Sequence, residues 1–225
     1  MIYTVTFNPA LDYVMKVEKL QFDDINRTYG EELNYGGKGI NVSVILSRLG
    51  VENTALGFQA GFTGEKLEEL LKADGIKTDF IALKNGMTRI NVKIKAQTEL
   101  DINAVGPPIE ADEVERLFEK IKAFQSGDVI VLAGSVPGTL PPDIYEKILS
   151  VTSKSGVESV VDATGDLLLN VLKYHPFLIK PNHFELGDLF GVKIRDEAEI
   201  EKYAKQLQEK GARNVLVSRG KEGAT

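Results

Sequence analysis

The sequence contains no cysteine, no tryptophan and only two histidines. Without cysteine the chain cannot form a disulfide, a thiolate zinc site, an iron–sulfur cluster or a cysteine nucleophile. The two histidines, His175 and His183, leave little for a histidine-based metal site. Positive charge is also in the minority, because 27 lysines and arginines are set against 33 aspartates and glutamates. This balance argues against a nucleic-acid-binding protein, although a local cluster of cations could still bind an anionic substrate.

Long hydrophobic runs are missing as well. No segment approaches the ~20 apolar residues that a membrane-spanning helix needs, and the N-terminus lacks the basic and apolar regions of a secretory signal. We therefore expect a cytoplasmic protein with no membrane partner. The length of 225 residues and the hydrophobic content of 43% suit a single domain, residues 1–225, with a sizeable core.

The sequence alternates between helical and β-rich segments. Apolar residues recur at helical spacing in segments 42–49, 114–121, 144–151 and 200–207, and each set predicts one apolar helix face. Glycines at the ends of helical segments precede several β-rich runs. The predicted strands are Ile2–Phe7, Thr54–Gly57, Asp79–Leu83, Asp128–Leu132, Glu158–Asp162, Phe177–Lys180 and Asn214–Ser218. This order predicts an α/β fold with a mostly parallel central sheet flanked by helices.

One region departs from this alternation. In Thr88–Ala96 apolar and polar residues alternate one by one, and Thr98–Ala104 continues the pattern after a short link. Such alternation is typical of antiparallel strands with one solvated face. Val14–Leu20 alternates more loosely and could join them. We predict a small antiparallel β lid beside the α/β body, formed by about residues 12–34 and 86–106.

The strongest local signal is the segment Asn34–Asn41 (NYGGKGIN), which directly precedes an amphipathic helix. Its glycines let the backbone approach a ligand closely, and the helix N-terminus offers unpaired N–H groups to an anion. Lys38 adds a positive charge. The same glycines could instead serve only to pack the helix closely. The segment is neither a Walker A loop nor a dinucleotide-binding G-x-G-x-x-G turn.

Two further residues could contact a ligand. Arg89 lies on the polar face of the alternating strand, where its planar guanidinium could hold a phosphate or could simply be solvated. Asp12 follows the first strand, and ligands gather beyond the carboxyl ends of strands in open α/β sheets. Its carboxylate could accept hydrogen bonds from sugar hydroxyls, or it could form a turn.

The last third of the chain offers two more candidates. Asn182 and Glu185 are three residues apart after a predicted strand, so they could serve a hydrated Mg²⁺ beside phosphates. Their spacing alone favours the other interpretation, in which they cap the helix that follows. The segment Ser218–Gly223 (SRGKEG) could wrap a polyphosphate or form a plain hairpin turn. Ser135 lacks the G-x-S-x-G context of a serine hydrolase.

Seven stretches, taken in order, resemble the phosphosugar branch of the PfkB (ribokinase-like) family of carbohydrate kinases. They are Thr6–Asp12 (TFNPALD), Gly36–Asn41 (GGKGIN), Thr88–Ile94 (TRINVKI), Thr98–Pro107 (TELDINAVGP), Leu132–Pro141 (LAGSVPGTLP), Ile179–Leu186 (IKPNHFEL) and Val217–Gly223 (VSRGKEG). The ordered series spans almost the whole chain and is far more specific than any one member. Within the branch it is most similar to the 1-phosphofructokinases.

The resemblance implies a ribokinase-like fold and phosphoryl transfer from ATP, with Mg²⁺, to a hydroxyl of a sugar phosphate. Fructose 1-phosphate, giving fructose 1,6-bisphosphate, is the favoured substrate. A homodimer that forms through the β lid is also implied. The implied substrate-binding residues are Asp12, Gly36, Gly37, Lys38, Asn41, Arg89 and Asn103. Those implied beside ATP are Lys180, Asn182, Glu185, Ser218, Gly220 and Gly223, with Glu185 also serving Mg²⁺.

The sequence departs from the family at one motif. The family's G-A-G-D, which supplies the catalytic aspartate and an anion-stabilising helix N-terminus, does not occur in these residues. We expect that aspartate to lie beyond Thr225, which leaves no catalytic residue here and makes this a C-terminally incomplete, inactive kinase.

Other readings of the chain remain open. They are a tagatose-6-phosphate kinase, a 6-phosphofructokinase of the same family, and a non-catalytic phosphosugar-binding module or inactive fragment. A kinase for neutral sugars or nucleosides is disfavoured, because Lys38 and Arg89 would then lack an anionic partner.

Overall fold

The computed structural model describes residues 1–225, which form two sheets and seven α-helices. The strands are β1 (Ile2–Thr6), β2 (Ala10–Lys16), β3 (Gly30–Gly36), β4 (Asn53–Gln59), β5 (Ile81–Ala82), β6 (Arg89–Lys95), β7 (Glu99–Ile102), β8 (Val129–Ala133), β9 (Glu158–Asp162) and β10 (Leu178–Ile179). The helices are α1 (Lys38–Arg48), α2 (Gly61–Ala73), α3 (Ala111–Lys122), α4 (Ile144–Thr152), α5 (Gly165–Leu169), α6 (His183–Phe190) and α7 (Glu197–Glu209). None of the helices has the length and apolar composition that a membrane span requires.

The main sheet confirms the predicted α/β fold. Its strand order is β10-β9-β8-β1-β4-β5, and every pair in it is parallel. The carboxyl ends of its strands therefore lie at one edge. The chain order reverses at β1, which lies between β8 and β4. Ligands of open α/β sheets bind beside such a reversal.

A second, four-stranded sheet has the order β3-β2-β6-β7. Its outer pairs are antiparallel, whereas β2 and β6 run parallel because the chain passes through α1, β4, α2 and β5 between them. Successive side chains of a strand point to opposite faces. Arg89, Asn91 and Lys93 therefore share one face of β6, and the apolar residues between them lie on the other.

A small apolar cluster joins the second sheet to the body. It is formed by Leu11, Ile40, Val44, Ala55, Leu67, Leu71 and Ile76, and Tyr35 and Ile90 pack against it. Leu67 and Leu71 of α2 are fully buried, and each such burial contributes about 1.5–3 kcal/mol. The base of the second sheet thus packs against α1 and α2.

The apolar face predicted for α1 is wrong. Ile45 and Leu49 are 53% and 72% exposed, whereas the helix turns Gly39 and Ser43 towards β1. The Ser43 hydroxyl is 2.7 Å from that of Thr4, and a Cβ on Gly39 would lie 2.5 Å from Thr6 Oγ1. Close approach to β1 therefore requires small side chains, and these decide which side of the helix is buried. The predicted faces of α3, α4 and α7 are confirmed, since each contributes buried residues to the main core.

The predicted strand Asn214–Ser218 is also wrong. Only Val215 and Ser218 form bridges, with Ile179 and Asn182. Pro181 lies between those two partners and has no N–H to donate, so the hydrogen bond that would join the bridges is missing. The segment still runs beside β10, because the Leu216 N–H donates to the Ile179 carbonyl and the Ser218 N–H to that of Pro181.

Candidate functional site

A polar cavity of about 1100 Å³ lies at the carboxyl ends of β1, β8 and β9. Thr6 and Asn8 line it at the end of β1, Gly134 after β8, and Asp162 at the end of β9. The chain-order reversal at β1 thus coincides with the cavity. Only five of its 24 lining residues are hydrophobic, which favours a small, hydrophilic ligand over an apolar one.

The glycine-rich turn brings the N-terminus of α1 to the cavity wall. Gly37 has a φ of 130°, which only glycine adopts readily. The Ile40 N–H donates to Thr6 Oγ1 of β1 over 3.0 Å, so a neighbouring strand provides the helix cap. The N–H groups of Lys38 and Gly39 have no acceptor within the helix. They add partial positive charge where Lys38 and Asn41 line the cavity.

One carboxylate links two of the predicted lysines. Lys38 Nζ lies 2.9 Å from Asp162 Oδ1, and Lys180 Nζ lies 3.0 Å from Asp162 Oδ2. The Asp162 side chain is only 12% exposed, so this ion triplet is partly shielded from solvent. It carries a net positive charge. It also connects the glycine-rich turn with the end of β10.

The polar face of the second sheet supplies two more cations. Arg89 and Lys93 both line the cavity, together with Asn103, which follows β7. Arg89 donates to the Ala104 carbonyl over 3.3 Å, and Lys93 Nζ lies 3.2 Å from Asp101. Burial lowers the pKa of Arg89, and the nearby Asp12 carboxylate opposes that shift. Arginine nonetheless keeps its charge at neutral pH.

Asp12 lies beside this cavity rather than on its wall. Asn91 Nδ2 donates to Asp12 Oδ1 over 2.9 Å. The carboxylate also lies over Gly36, where a Cβ would be 2.8–2.9 Å from its atoms. Gly36 is therefore needed for the room that Asp12 occupies. Of the seven predicted substrate residues, Gly37, Lys38, Asn41, Arg89 and Asn103 line the cavity, and Asp12 and Gly36 adjoin it.

The segments that leave the second sheet and β8 are fixed by hydrogen bonds. Asn8 Nδ2 donates to the Val105 carbonyl over 2.8 Å, which ties the segment after β7 to the end of β1. The Tyr145 hydroxyl donates to the Gly134 carbonyl over 3.0 Å. Burial raises the pKa of Tyr145, with a smaller contribution from the Asp162 charge. Both bonds stabilise loops of the cavity wall.

The residues predicted beside ATP do not line this cavity. Asn182 caps α6, because its Oδ1 accepts the N–H groups of Phe184 and Glu185 over 2.9 Å each. Glu185 Oε2 in turn accepts the Asn182 N–H over 2.7 Å. The structure therefore shows the capping interpretation of this pair. Ser218 lies beside it through its bridge to Asn182.

The Ser218–Gly223 segment forms the hairpin turn that the sequence left open. Ser218 bridges Ala224 in antiparallel fashion, and residues 220–222 make one 3-10 turn. Its backbone approaches the start of α6, since the Ser218 carbonyl accepts the His183 N–H over 3.1 Å. These contacts place the hairpin beside the segment that contains Lys180, Asn182 and Glu185, at the carboxyl end of β10.

Sequence reasoning missed three residues of this site. Asp162 ends a buried strand at the carboxyl edge of the sheet, which is the same signal that drew attention to Asp12. Asn91 and Lys93 share the polar face of β6 with Arg89, as the period of two predicts, but only Arg89 was singled out as a candidate. Asn91 and Lys93 lie within the Thr88–Ile94 stretch that carries the family resemblance, but the resemblance implied no role for either of them.

Comparisons with known proteins show the family to which this fold belongs. The model of the pfkB family of carbohydrate kinases matches residues 5–225. A 1-phosphofructokinase of Bacillus subtilis is 44% identical over 224 residues, which span 100% of this chain and 74% of that one. A D-tagatose-1-phosphate kinase of Bacillus licheniformis is 40% identical, with 100% and 74% covered.

A solved structure of a carbohydrate kinase has the same fold. The phosphofructokinase-2 of Escherichia coli, crystallised with fructose-6-phosphate, superimposes with a TM-score of 0.91 at 28% identity, covering 99% of this chain and 75% of that one. With the family model matched over nearly the whole chain, the chain belongs to the pfkB family of carbohydrate kinases.

Proposed function

We propose that the chain carries the substrate site of a kinase that transfers a phosphoryl group from ATP to a hydroxyl of fructose 1-phosphate, giving fructose 1,6-bisphosphate. The observation that carries this proposal is the convergence of Lys38, Arg89 and Lys93 on one polar cavity. Lys38 and Lys93 already contact Asp162 and Asp101, but the Lys38–Asp162–Lys180 triplet keeps a net positive charge and Arg89 bonds only a carbonyl. A phosphate compensates this excess positive charge, whereas a neutral sugar does not. The name of the relative that is 44% identical, 1-phosphofructokinase, supports the choice of sugar.

The phosphate and the hydroxyl groups of the substrate are bound by different side chains. In this proposal Lys38 and Arg89 hold the phosphate that the sugar already bears, and Asn103 and Asn41 bind beside it. Asp12, positioned over Gly36, accepts hydrogen bonds from sugar hydroxyls. Carboxylates accept such bonds more strongly than neutral oxygens do, so Asp12 fixes the orientation of the sugar.

The nucleotide side is formed by Lys180, Asn182 and Glu185 together with Ser218, Gly220 and Gly223 of the hairpin. The backbone of a glycine-containing turn can lie close to phosphate oxygens. Lys180, held by Asp162, provides a cation at this side. Transfer requires the sugar hydroxyl to attack the γ-phosphorus while the bond to the β–γ bridging oxygen breaks, so positioning and charge stabilisation dominate.

Glu185 is the residue that would serve Mg²⁺. The structure contains no group of three or more histidine, aspartate or glutamate side chains that could hold a metal ion, which does not fit a cation held by such side chains alone. Mg²⁺ beside phosphates keeps waters and needs only one or two carboxylates. Glu185 Oε2 is engaged in the capping box, and its second oxygen makes no hydrogen bond, so one carboxylate oxygen is left for this role. When bound, Mg²⁺ neutralises charge on the transferring phosphates.

A second candidate substrate is a tagatose phosphate. The relative named D-tagatose-1-phosphate kinase is 40% identical, and one named tagatose-6-phosphate kinase is 34% identical. These ketohexose phosphates carry the same anionic group, so the same cations would bind them. A 6-phosphofructokinase of the same fold is the third alternative.

We further propose that the second sheet acts as a lid and pairs with the lid of a second copy. Its face opposite Arg89 exposes Leu33, Leu100 and Ile102 by 39%, 38% and 55%. The register pairs Leu33 with Tyr13 and Leu100 with Ile94, so these residues share one face. A continuous apolar face of this kind favours contact with another protein surface.

The experiment combines calorimetry with an assay of ADP release. The 225-residue chain is titrated with fructose 1-phosphate, fructose 6-phosphate and tagatose 6-phosphate, and the assay is repeated on a chimera that adds the C-terminal segment of the Bacillus subtilis 1-phosphofructokinase. We expect tightest binding of fructose 1-phosphate. We also expect turnover from the chimera alone, because no G-A-G-D aspartate is present among these residues to accept the hydroxyl proton. A chimera that phosphorylates none of the three sugars would refute the proposed function.

A further inference from the structure

We infer that Asn91 is a positioning residue that sets the orientation of the Asp12 carboxylate for sugar binding. The inference rests on the proposed function, because it assigns Asn91 a role at the same substrate site. Asn91 is in the middle of β6 and is 7% exposed. The parallel register places it directly opposite Asp12 of β2. It lies within the Thr88–Ile94 stretch that resembles the family, but the resemblance implies no role for it.

The contacts confine the Asp12 carboxylate on two sides. Asn91 Nδ2 donates to Asp12 Oδ1 over 2.9 Å. Gly36 lies against the same carboxylate, so closely that a Cβ there would be 2.8 Å from Oδ2. One oxygen is therefore occupied by the amide, and the second accepts no hydrogen bond within the protein. A substrate hydroxyl would meet an acceptor whose direction is already fixed.

The chemistry of the pair leaves Asn91 incompletely bonded. An ionised carboxylate only accepts hydrogen bonds, so the amide nitrogen of Asn91 must face it. The amide oxygen then points away, and Asn91 Oδ1 is buried with no hydrogen-bond partner. A buried polar atom without a partner destabilises a fold, and an apolar side chain of similar size would avoid that cost. Stability alone therefore does not account for an asparagine at this position.

Arg89 is affected by the same carboxylate. It precedes Asn91 by two residues on the same face of β6, and the Asp12 charge raises its pKa against the lowering by burial. Movement of Asp12 would thus change the surroundings of the proposed phosphate-binding arginine as well. By holding Asp12, Asn91 maintains the relative positions of a hydroxyl-binding group and a phosphate-binding group.

The test compares Asn91→Leu with Asn53→Leu, a matched control. Asn53 is 3% exposed and its Oδ1 is also buried without a partner, but its amide bonds to Ser47 and Val51, remote from the cavity. Binding of fructose 1-phosphate is measured by calorimetry and stability by thermal unfolding. We expect Asn91→Leu to weaken binding roughly tenfold or more and to lower the Tm less than Asn53→Leu does. We expect Asn53→Leu to lower the Tm and to bind like the wild type.

A second variant, Asn91→Asp, provides a pH readout. The introduced carboxyl can donate to Asp12 only while it carries a proton, and a neighbouring carboxylate favours the protonated form. We expect near-normal binding at about pH 5 and a progressive loss towards about pH 8, while the wild type shows no such loss.

Three results would overturn the inference. They are wild-type affinity in Asn91→Leu, a fall in its Tm as large as that of Asn53→Leu, or an Asn91→Asp profile parallel to the wild type. If the wild-type chain binds none of the sugar phosphates, the proposed function fails first and the role of Asn91 fails with it.

Discussion

Replacement of Arg89 by alanine is expected to weaken the binding of fructose 1-phosphate about 100-fold, because about 1.5–3 kcal/mol is lost with a charged hydrogen-bonding group. The guanidinium is half-buried and lines the cavity. Its fork can hold two phosphate oxygens, which a point charge cannot do equally well. The binding of free fructose should change little, since the arginine acts on the phosphate. Calorimetry with both ligands measures the two effects separately.

Two controls accompany this prediction. Arg89→Lys keeps the charge but loses the planar fork, so we expect an intermediate affinity. Arg48→Ala removes an exposed arginine from the last turn of α1 and should leave binding unchanged. Equal weakening of fructose and fructose 1-phosphate in Arg89→Ala would contradict the assignment, because it would indicate general damage to the second sheet.

Replacement of Gly57 by alanine should have the largest effect on stability. Gly57 has a φ of 147°, and a Cβ there would lie 2.0 Å from the Thr6 carbonyl oxygen of the neighbouring strand. Backbone strain and overpacking each cost about 1–3 kcal/mol. We therefore expect the free energy of unfolding to fall by about 3 kcal/mol or more, measured by urea denaturation. Because Thr6 caps α1 and lines the cavity, substrate binding should fall as well.

Gly30→Ala is the matched control for this change. The added methyl would meet only the Lys16 side chain, at 3.4 Å, and the φ of Gly30 is unstrained. We expect a change in the free energy of unfolding within about 0.5 kcal/mol. If Gly57→Ala were as stable as Gly30→Ala, the close approach of β1 and β4 would not be required for the fold.

Sequence patterns predicted the helices and strands better than they predicted the contacts between them. The α/β alternation and the alternating strand at Arg89–Lys95 depend on local periodicity, which the chain displays directly. The buried face of α1 depends on how closely Gly39 and Ser43 approach β1, and apolar spacing favoured the opposite side. Likewise, the hydrogen bond that Pro181 cannot donate to the 214–218 segment could be predicted only once the pairing of Ile179 with Val215 was known.

In the candidate site, too, local patterns were predictable from the sequence and long-range contacts were not. The glycine-rich turn and Arg89 are more than 45 positions apart in the chain, and only the resemblance to a known family joined them. Asp162 pairs with Lys38 across 124 positions, and Asn91 pairs with Asp12 across 79. Such contacts result from the order of the strands in the sheets, so no short sequence motif could predict them. For Asn182 and Glu185 the local pattern did suffice, since the capping interpretation needed only their spacing of three.

The central claim is that cations from the glycine-rich turn and from the second sheet act together on one phosphorylated sugar. The most direct test is the ratio of the affinities for fructose 1-phosphate and fructose, measured by calorimetry on the wild type, on Lys38→Ala, on Arg89→Ala and on the double variant. We predict a wild-type preference of about 1000-fold for the phosphorylated sugar, equivalent to about 4 kcal/mol, which each single variant reduces and the double variant largely abolishes. An unchanged preference in the double variant would contradict the account, because the phosphate would then be bound by other groups.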